Sequence, residues 1–213
     1  MRITFFSAAL LASAASFAAT PIDGWYSSVF GGFTYMPDNI SISTPGLFLD
    51  RAAYDSGYNA GGRVGFKSNP LRYEAEFTYI NARLHDLNVN NISQLYVTGK
   101  TSASLAMANV YYDFPDMVPA IQPFLGVGLG YGWLQSTLES SGPNASIWFN
   151  SGTDSVFAWQ ATGGFTYNFA ECFAIDIAYR YVGTGNSDNL GKVFQANLGT
   201  VGVTYRFNEN GYK

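Results

Sequence analysis

The chain has 213 residues, of which only 12% are charged and 17% are aromatic, with 23 glycines. A chain this poor in charge and rich in β- and turn-forming residues is neither disordered nor built from long helices. Its formal net charge of −4 also argues against nucleic acid as a partner, because phosphate binding needs a basic patch.

Residues 1–18 read as a secretory signal. Arg2 gives the positive start, Ile3 to Phe17 is apolar, and Ser16-Phe17-Ala18 places small residues where a signal peptidase reads. Its removal leaves ten basic against fifteen acidic side chains. No later apolar run approaches the roughly 20 residues of a spanning helix. The lone Cys172 allows no internal disulfide.

Eight strands are predicted along the rest of the chain. The first, Trp25 to Met36, has ambiguous facing, because Tyr26 and Phe30 compete with Trp25, Val29 and Phe33. A loop from Pro37 to Asp55 leads to strands at Tyr58 to Lys67 and Leu71 to Leu84, joined by a tight Ser68-Asn69-Pro70 turn. If Asn69-Pro70 is the turn centre, Val64 faces Ala75 and Phe66 faces Tyr73 on one side. On the other, Arg63 faces Glu76 and Gly65 faces Glu74, a favourable placing of opposite charges. The same register sets Lys67 against Arg72, near a rim where water screens them.

A polar loop from His85 to Thr101 precedes the strand Ser102 to Phe114, with Val110, Tyr112 and Phe114 on its apolar face. The strand Gln122 to Leu138 follows. It sends Val127, Leu129, Tyr131 and Trp133 one way and Gly126, Gly128, Gly130 and Gly132 the other. A loop from Glu139 to Asp154 opens into the most regular stretch, the hairpin Phe157 to Gly183. Its outward positions are Trp159, Ala161, Gly163, Phe165, Tyr167 and Phe169, then Phe173, Ile175, Ile177, Tyr179 and Tyr181. Its other face holds Gln160, Thr162, Asp176 and Arg180. This period of two marks β-strands. One face is aromatic throughout, and the strands match the ~10 residues of a tilted bilayer-spanning strand. The apolar face is therefore read as facing lipid, with Tyr179 expected to cover Gly163. A loop near Thr184 to Val193 leads to the last strand, Phe194 to Phe207, with Val201, Val203, Tyr205 and Phe207 outward and Thr204 and Arg206 inward.

These elements predict an all-β fold, an eight-stranded antiparallel up-and-down transmembrane barrel with four long external loops and three short periplasmic turns. The barrel domain is expected over 19–208, with 209–213 as a short tail. Eight strands leave a lumen that side chains fill. The inward Arg63, Lys67, Glu74, Glu76, Asp176, Arg180 and Arg206 are then expected to form an internal ion-pair network, with a narrow channel lined by the same charges as the alternative. The strand-five glycines leave room for long inward side chains from neighbouring strands.

Several stretches resemble the small outer-membrane β-barrel family, the OmpA-like and opacity-type bacterial surface proteins. They are Gly61-Gly62-Arg63-Val64-Gly65-Phe66 with Arg72-Tyr73-Glu74-Ala75-Glu76, Asn109-Val110-Tyr111-Tyr112-Asp113-Phe114, Pro123 to Gly132, Trp159 to Gly164, and Tyr179-Arg180-Tyr181. The resemblance implies a monomeric protein of the bacterial cell outer membrane, without enzymatic activity or cofactor. Its expected surroundings are outer-membrane lipid and lipopolysaccharide, the barrel insertion machinery, and a host or surface ligand met through the loops. Family barrels commonly end on an aromatic residue, whereas Asn208 to Lys213 follow Phe207 here.

Other candidate sites carry less. Gly126-Val127-Gly128-Leu129-Gly130 lies within a strand and lacks the strand-to-helix setting of a phosphate loop. His85, the sole histidine, adjoins Asp86, which is poorly placed to orient its ring for catalysis, so a solvated loop position is expected. No second His or Cys accompanies it to bind metal. The triplets at Asn39, Asn91 and Asn144 read as chance. Phe48, Leu49, Trp148 and Phe149 are the candidate loop contact residues, which either fold over the barrel mouth or present an apolar patch to a partner.

Overall fold

The computed structural model describes residues 23–37, 39–42, 49–54, 56–89, 92–93, 95–114, 121–141, 146–150, 153–187 and 192–207. Over 39–42, 49–54, 83–89, 92–93, 95–99, 136–141, 146–150, 154, 186–187 and 192–193 it describes the backbone alone. Phe48, the signal stretch 1–18 and the tail 209–213 lie outside the described residues.

Eight long strands form the wall: β1 (Gly24–Tyr35), β4 (Gly57–Ser68), β5 (Leu71–Val89), β7 (Leu95–Asp113), β8 (Ile121–Ser141), β10 (Asp154–Asn168), β11 (Phe173–Ser187) and β12 (Lys192–Arg206). Four short strands lie between them: β2 (Asn39–Ile42), β3 (Leu49–Tyr54), β6 (Ile92–Ser93) and β9 (Ser146–Asn150). Each wall strand pairs antiparallel with the next, and β12 pairs back onto β1, from Tyr26 opposite Arg206 to Tyr35 opposite Asn197. The ring is closed. Closure gives every wall strand two neighbours, which is what lets a sheet cross hydrocarbon.

The Asn69-Pro70 hairpin has the predicted register, with Arg63 opposite Glu76, Val64 opposite Ala75 and Lys67 opposite Arg72. The first strand resolves its ambiguity by turning Tyr26 and Phe30 inward and Trp25, Val29 and Phe33 outward. Phe33 is 78% exposed where Phe30 is 7% exposed, so neighbouring rings of the same type serve opposite solvents.

The predicted loops are shorter than expected. Two short strands, β2 and β3, occupy the stretch read as the first loop, and β3 pairs with β5 from Asp50 opposite Val89 to Tyr54 opposite Leu84. β5 runs to Val89 and β7 begins at Leu95, through most of the second loop. β8 extends to Ser141 and pairs with β9, while β11 and β12 narrow the fourth loop to 188–191. The physical reason is backbone pairing: once adjacent strands are in register, continuing the ladder satisfies N–H and C=O groups even where side chains are polar. β8, with 21 residues, is about twice the length a bilayer crossing needs.

The outside of the ring carries an apolar band bounded by aromatic belts. At the short-turn end Trp25 meets Phe66, Tyr112 meets Phe114, and Phe173 meets both Phe169 and Tyr205. At the long-loop end Tyr58 meets Tyr79, Tyr131 meets Phe157, and Trp159 meets Tyr181. Between the belts lie Val29, Val64, Val127, Ile175, Ile177, Val201 and Val203, all exposed. Aliphatic residues flanked by two aromatic girdles are the pattern of a lipid-facing barrel surface.

Candidate functional site

The lumen has two layers. The half nearer the short turns holds the buried charges of the described residues, set among polar and aromatic side chains. Arg63 Nη2 donates to Asp176 Oδ2 at 2.6 Å and its Nη1 lies 3.8 Å from Glu74 Oε2. Arg180 Nη2 pairs with Glu76 Oε1 and also donates to Gln160 Oε1 at 2.9 Å. Glu76 accepts further bonds from Thr78 Oγ1 at 2.8 Å and Asn109 Nδ2 at 3.4 Å, and Gln160 Nε2 donates to Asn109 Oδ1 at 2.6 Å. Tyr26 Oη donates to Glu74 Oε1 at 2.5 Å. Phe30 packs its ring against two guanidinium groups, with Arg63 Cζ 5.3 Å and Arg180 Cζ 4.9 Å from its centroid.

At the turn end itself Lys67 and Arg72 face each other, and both are buried. The expectation that water screens them is therefore corrected: a carboxylate separates them instead. Asp113 accepts from Arg72 Nε at 2.7 Å and lies 3.1 Å from Lys67 Nζ. Lys67 also donates to Gln122 Oε1 at 2.8 Å, and Arg72 lies over the rings of Tyr111 and Phe124. Arg206 donates to Asn168 Oδ1 at 2.6 Å. All seven sequence-named interior residues thus lie buried in one half of the lumen, with Arg206 apart from any carboxylate of the group.

Asp113, Arg72, Asn109, Gln122 and Gln160 belong to the same assembly and were missed as site residues. Asp113 had a signal, because Val110, Tyr112 and Phe114 outward leave it inward.

Nearer the long connections the lumen is apolar. Ile80, Ala82, Ala103, Leu105, Met107, Leu134, Val156, Ala158, Val182, Phe194, Ala196 and Leu198 form one buried cluster with Met36. Here β7 and β12 turn Ala103, Leu105, Phe194, Ala196 and Leu198 inward and the polar Ser102, Ser104, Gln195 and Asn197 outward, the reverse of the sorting nearer the turns.

Glycine sets where the bulky inward groups fit. Leu105, Met107, Asn109 and Tyr111 of β7 stand opposite Gly132, Gly130, Gly128 and Gly126 of β8. Each leans over its glycine so closely that a Cβ there would collide with the side chain or with nearby backbone. Tyr26 over Gly65, Phe30 over Gly61 and Phe124 over Gly164 repeat the arrangement. On the lipid face Gly163 does stand opposite Tyr179, but the side chain nearest its open face is Leu125. The aromatic lid expected there lies instead over Gly183, beneath Trp159. Trp159 is held there by its contact with Tyr181, whereas Tyr179 turns its hydroxyl to Asn197 Oδ1 at 2.5 Å.

His85 lies within β5 rather than in a loop, at the point where the β3–β5 register shifts. Leu49 pairs with Ile42, and Trp148 and Phe149 stand opposite Glu139 and Leu138, so these three belong to strands; their side chains are not among those described. Among the described residues no group of three or more His, Cys, Asp or Glu side chains could hold a metal ion.

A closed ring of eight strands, greasy outside and ion-paired within, has close counterparts. A family model described as outer membrane protein beta-barrel domain matches residues 4–207. The chain belongs to this outer-membrane barrel family. An outer membrane protein of Gluconacetobacter diazotrophicus is 31% identical over 212 residues, covering 88% of this barrel protein and 54% of that one. An uncharacterized protein of Brucella abortus is 26% identical over 153 residues, with 62% of this chain and 54% of that protein covered. The chain thus spans about half the length of these curated relatives. Among solved structures, Neisserial surface protein A superimposes with a TM-score of 0.54 at 19% identity, over 86% of this chain and 97% of that one. The outer membrane protein OprG of Pseudomonas aeruginosa gives 0.54 at 14% identity, over 88% and 98%. These likenesses establish the fold, and membership of the family places the barrel in the outer membrane.

Proposed function

We propose that this protein is a non-enzymatic, monomeric surface barrel whose sealed lumen acts as a strut and whose long-connection end meets a partner outside the cell. The carrying observation is the filled lumen, ion-paired in one half and apolar in the other, with a cavity of only about 10 Å³ at the turn end. A space of that size holds about one water, which supports a strut rather than a conduit.

In this reading residues 1–18 are removed on export, the barrel spans 19–208, and 209–213 form a tail. Short turns and both chain ends lie in the periplasm, as is usual for such barrels. The lipid-facing band sits in outer-membrane lipid and lipopolysaccharide after delivery by the barrel insertion machinery. The wall strands β5, β7 and β8, at 19 to 21 residues, outrun the bilayer on the side of the long connections. Phe48, Leu49, Trp148 and Phe149 are the residues proposed to contact a host or surface ligand.

Protease added to intact cells tests the orientation. Cleavage confined to 43–48 and 142–145, with the barrel fragment protected, is the expected result; cleavage only after permeabilisation would sink the reading. Planar-bilayer recordings of the purified protein are expected to stay silent. Steady single-channel steps that change in Glu76→Gln would instead establish the narrow channel.

A further inference from the structure

Among the described residues five cations are buried, Arg63, Lys67, Arg72, Arg180 and Arg206, against four carboxylates, Glu74, Glu76, Asp113 and Asp176. The excess is not spread evenly. Arg63 is matched by Asp176 and Arg180 by Glu76, whereas Lys67 and Arg72 converge on Asp113. Arg72 also reaches Glu74 at 3.4 Å, but Glu74 is shared with Arg63 and Tyr26. Arg206 has no described carboxylate within ion-pair distance. It donates to the neutral Asn168, and its buried Nη1 has no acceptor. Arg72 Nη2 is likewise buried without an acceptor. Lys67 donates to Gln122 and lies 3.1 Å from Asp113 Oδ2, a buried oxygen that itself accepts no hydrogen bond.

These three cations line one cavity at the turn end, together with Asp113, Gln122 and Thr166. Its volume of about 10 Å³ admits one water-sized sphere. Three positive groups and one negative group around so small a space leave both unsatisfied donors and uncompensated charge. A water would supply acceptors but leave the charge, and buried charge without a counter-charge is strongly disfavoured. A monatomic anion supplies both and fits a space that admits one water-sized sphere. We propose that this cavity binds a single chloride ion between Arg206, Arg72 and Lys67, as an integral counter-ion of the barrel. The inference concerns the turn end alone and does not depend on what the long connections contact.

Urea unfolding of the full-length protein in phospholipid vesicles tests it, with chloride exchanged for gluconate at constant ionic strength. Above saturation, each tenfold rise in chloride is expected to lower the unfolding equilibrium constant about tenfold. Arg206→Gln is expected to abolish this dependence. Equal stability in chloride and gluconate, or an unchanged chloride dependence in Arg206→Gln, would overturn the site. Should that variant not fold, crystals of the unmodified protein grown in bromide decide it. An anomalous peak within hydrogen-bond distance of Arg206 and Lys67 supports the proposal, and a bromide-soaked cavity without such a peak refutes it.

Discussion

The two halves of the lumen solve the same packing problem with opposite chemistry. The turn-end half sets long charged side chains among polar and aromatic ones such as Tyr111 and Phe124, and ties them together by directional bonds. The loop-end half fills it with Leu, Ile, Val, Ala and Phe, which are interchangeable in kind and specific only in shape. Directional bonds make the first half unforgiving of losing one member. Packing makes the second half sensitive to volume. The glycine faces of β4 and β8 serve both, since they admit Tyr26 and Tyr111 below and Leu105 above.

The sharpest break in this comparison comes from removing one charge. Glu76→Leu leaves Arg180 buried without its carboxylate and is expected to destabilise the barrel by about 3–5 kcal/mol. Urea titration in vesicles reads this directly. Replacing Arg180 with Met in the same chain should recover most of the loss, because two apolar groups need no partner; a double variant as unstable as the single one would refute pairing as the cause. In the apolar half, Leu198→Ala is expected to cost about 3 kcal/mol through the cavity it leaves. There a second substitution that restores volume, rather than charge, should rescue stability.

A somewhat smaller effect separates the outside from both layers. Ile177 is 60% exposed on the lipid face, and Ile177→Arg is expected to cost about 2–4 kcal/mol in vesicles. Tyr205→Arg, in the belt at the turn end, should cost about 1 kcal/mol or less. Equal penalties at the two depths would mean that the band does not face hydrocarbon.

Two further substitutions test the glycine rule, and the second is expected to have the smallest effect of all. Gly130→Ala would press a methyl group against the Ala106 carbonyl and the Met107 sulfur, for a loss of about 1–3 kcal/mol. Gly199→Ala meets no atom within 4 Å and should leave the urea midpoint unchanged.

How much of this was legible in the chain varied with the kind of contact involved. The Arg63–Glu76 and Lys67–Arg72 alignments followed from the tight Asn69-Pro70 turn, because a short turn sets the register of its two strands. The inward glycines of β8 were visible as a period of two, but their occupants come from β7, across a connection that encodes no register. Asp113 could be placed inward, yet its position between Lys67 and Arg72 depends on the β5–β7 pairing, and the polar stretch from His85 to Thr101 carries no turn signal that would set that register. The apolar upper layer reverses the alternation on β7 and β12, where Ser102, Ser104, Gln195 and Asn197 face outward, so assigning the apolar side to lipid misreads it.

Alternation along each strand, eight times over, was written in the chain itself, because successive side chains of an extended backbone point to opposite sides whatever surrounds them. That was enough to state a barrel, its greasy exterior and seven of the charges that lie inside it, though not Arg72 and Asp113. Which charge meets which, where ions give way to Leu and Ile, and how far the strands outrun the bilayer were decided only by ring closure. Closure brings together residues far apart in sequence, such as Arg63 with Asp176 and Glu76 with Arg180, and no local pattern carries information about such distances.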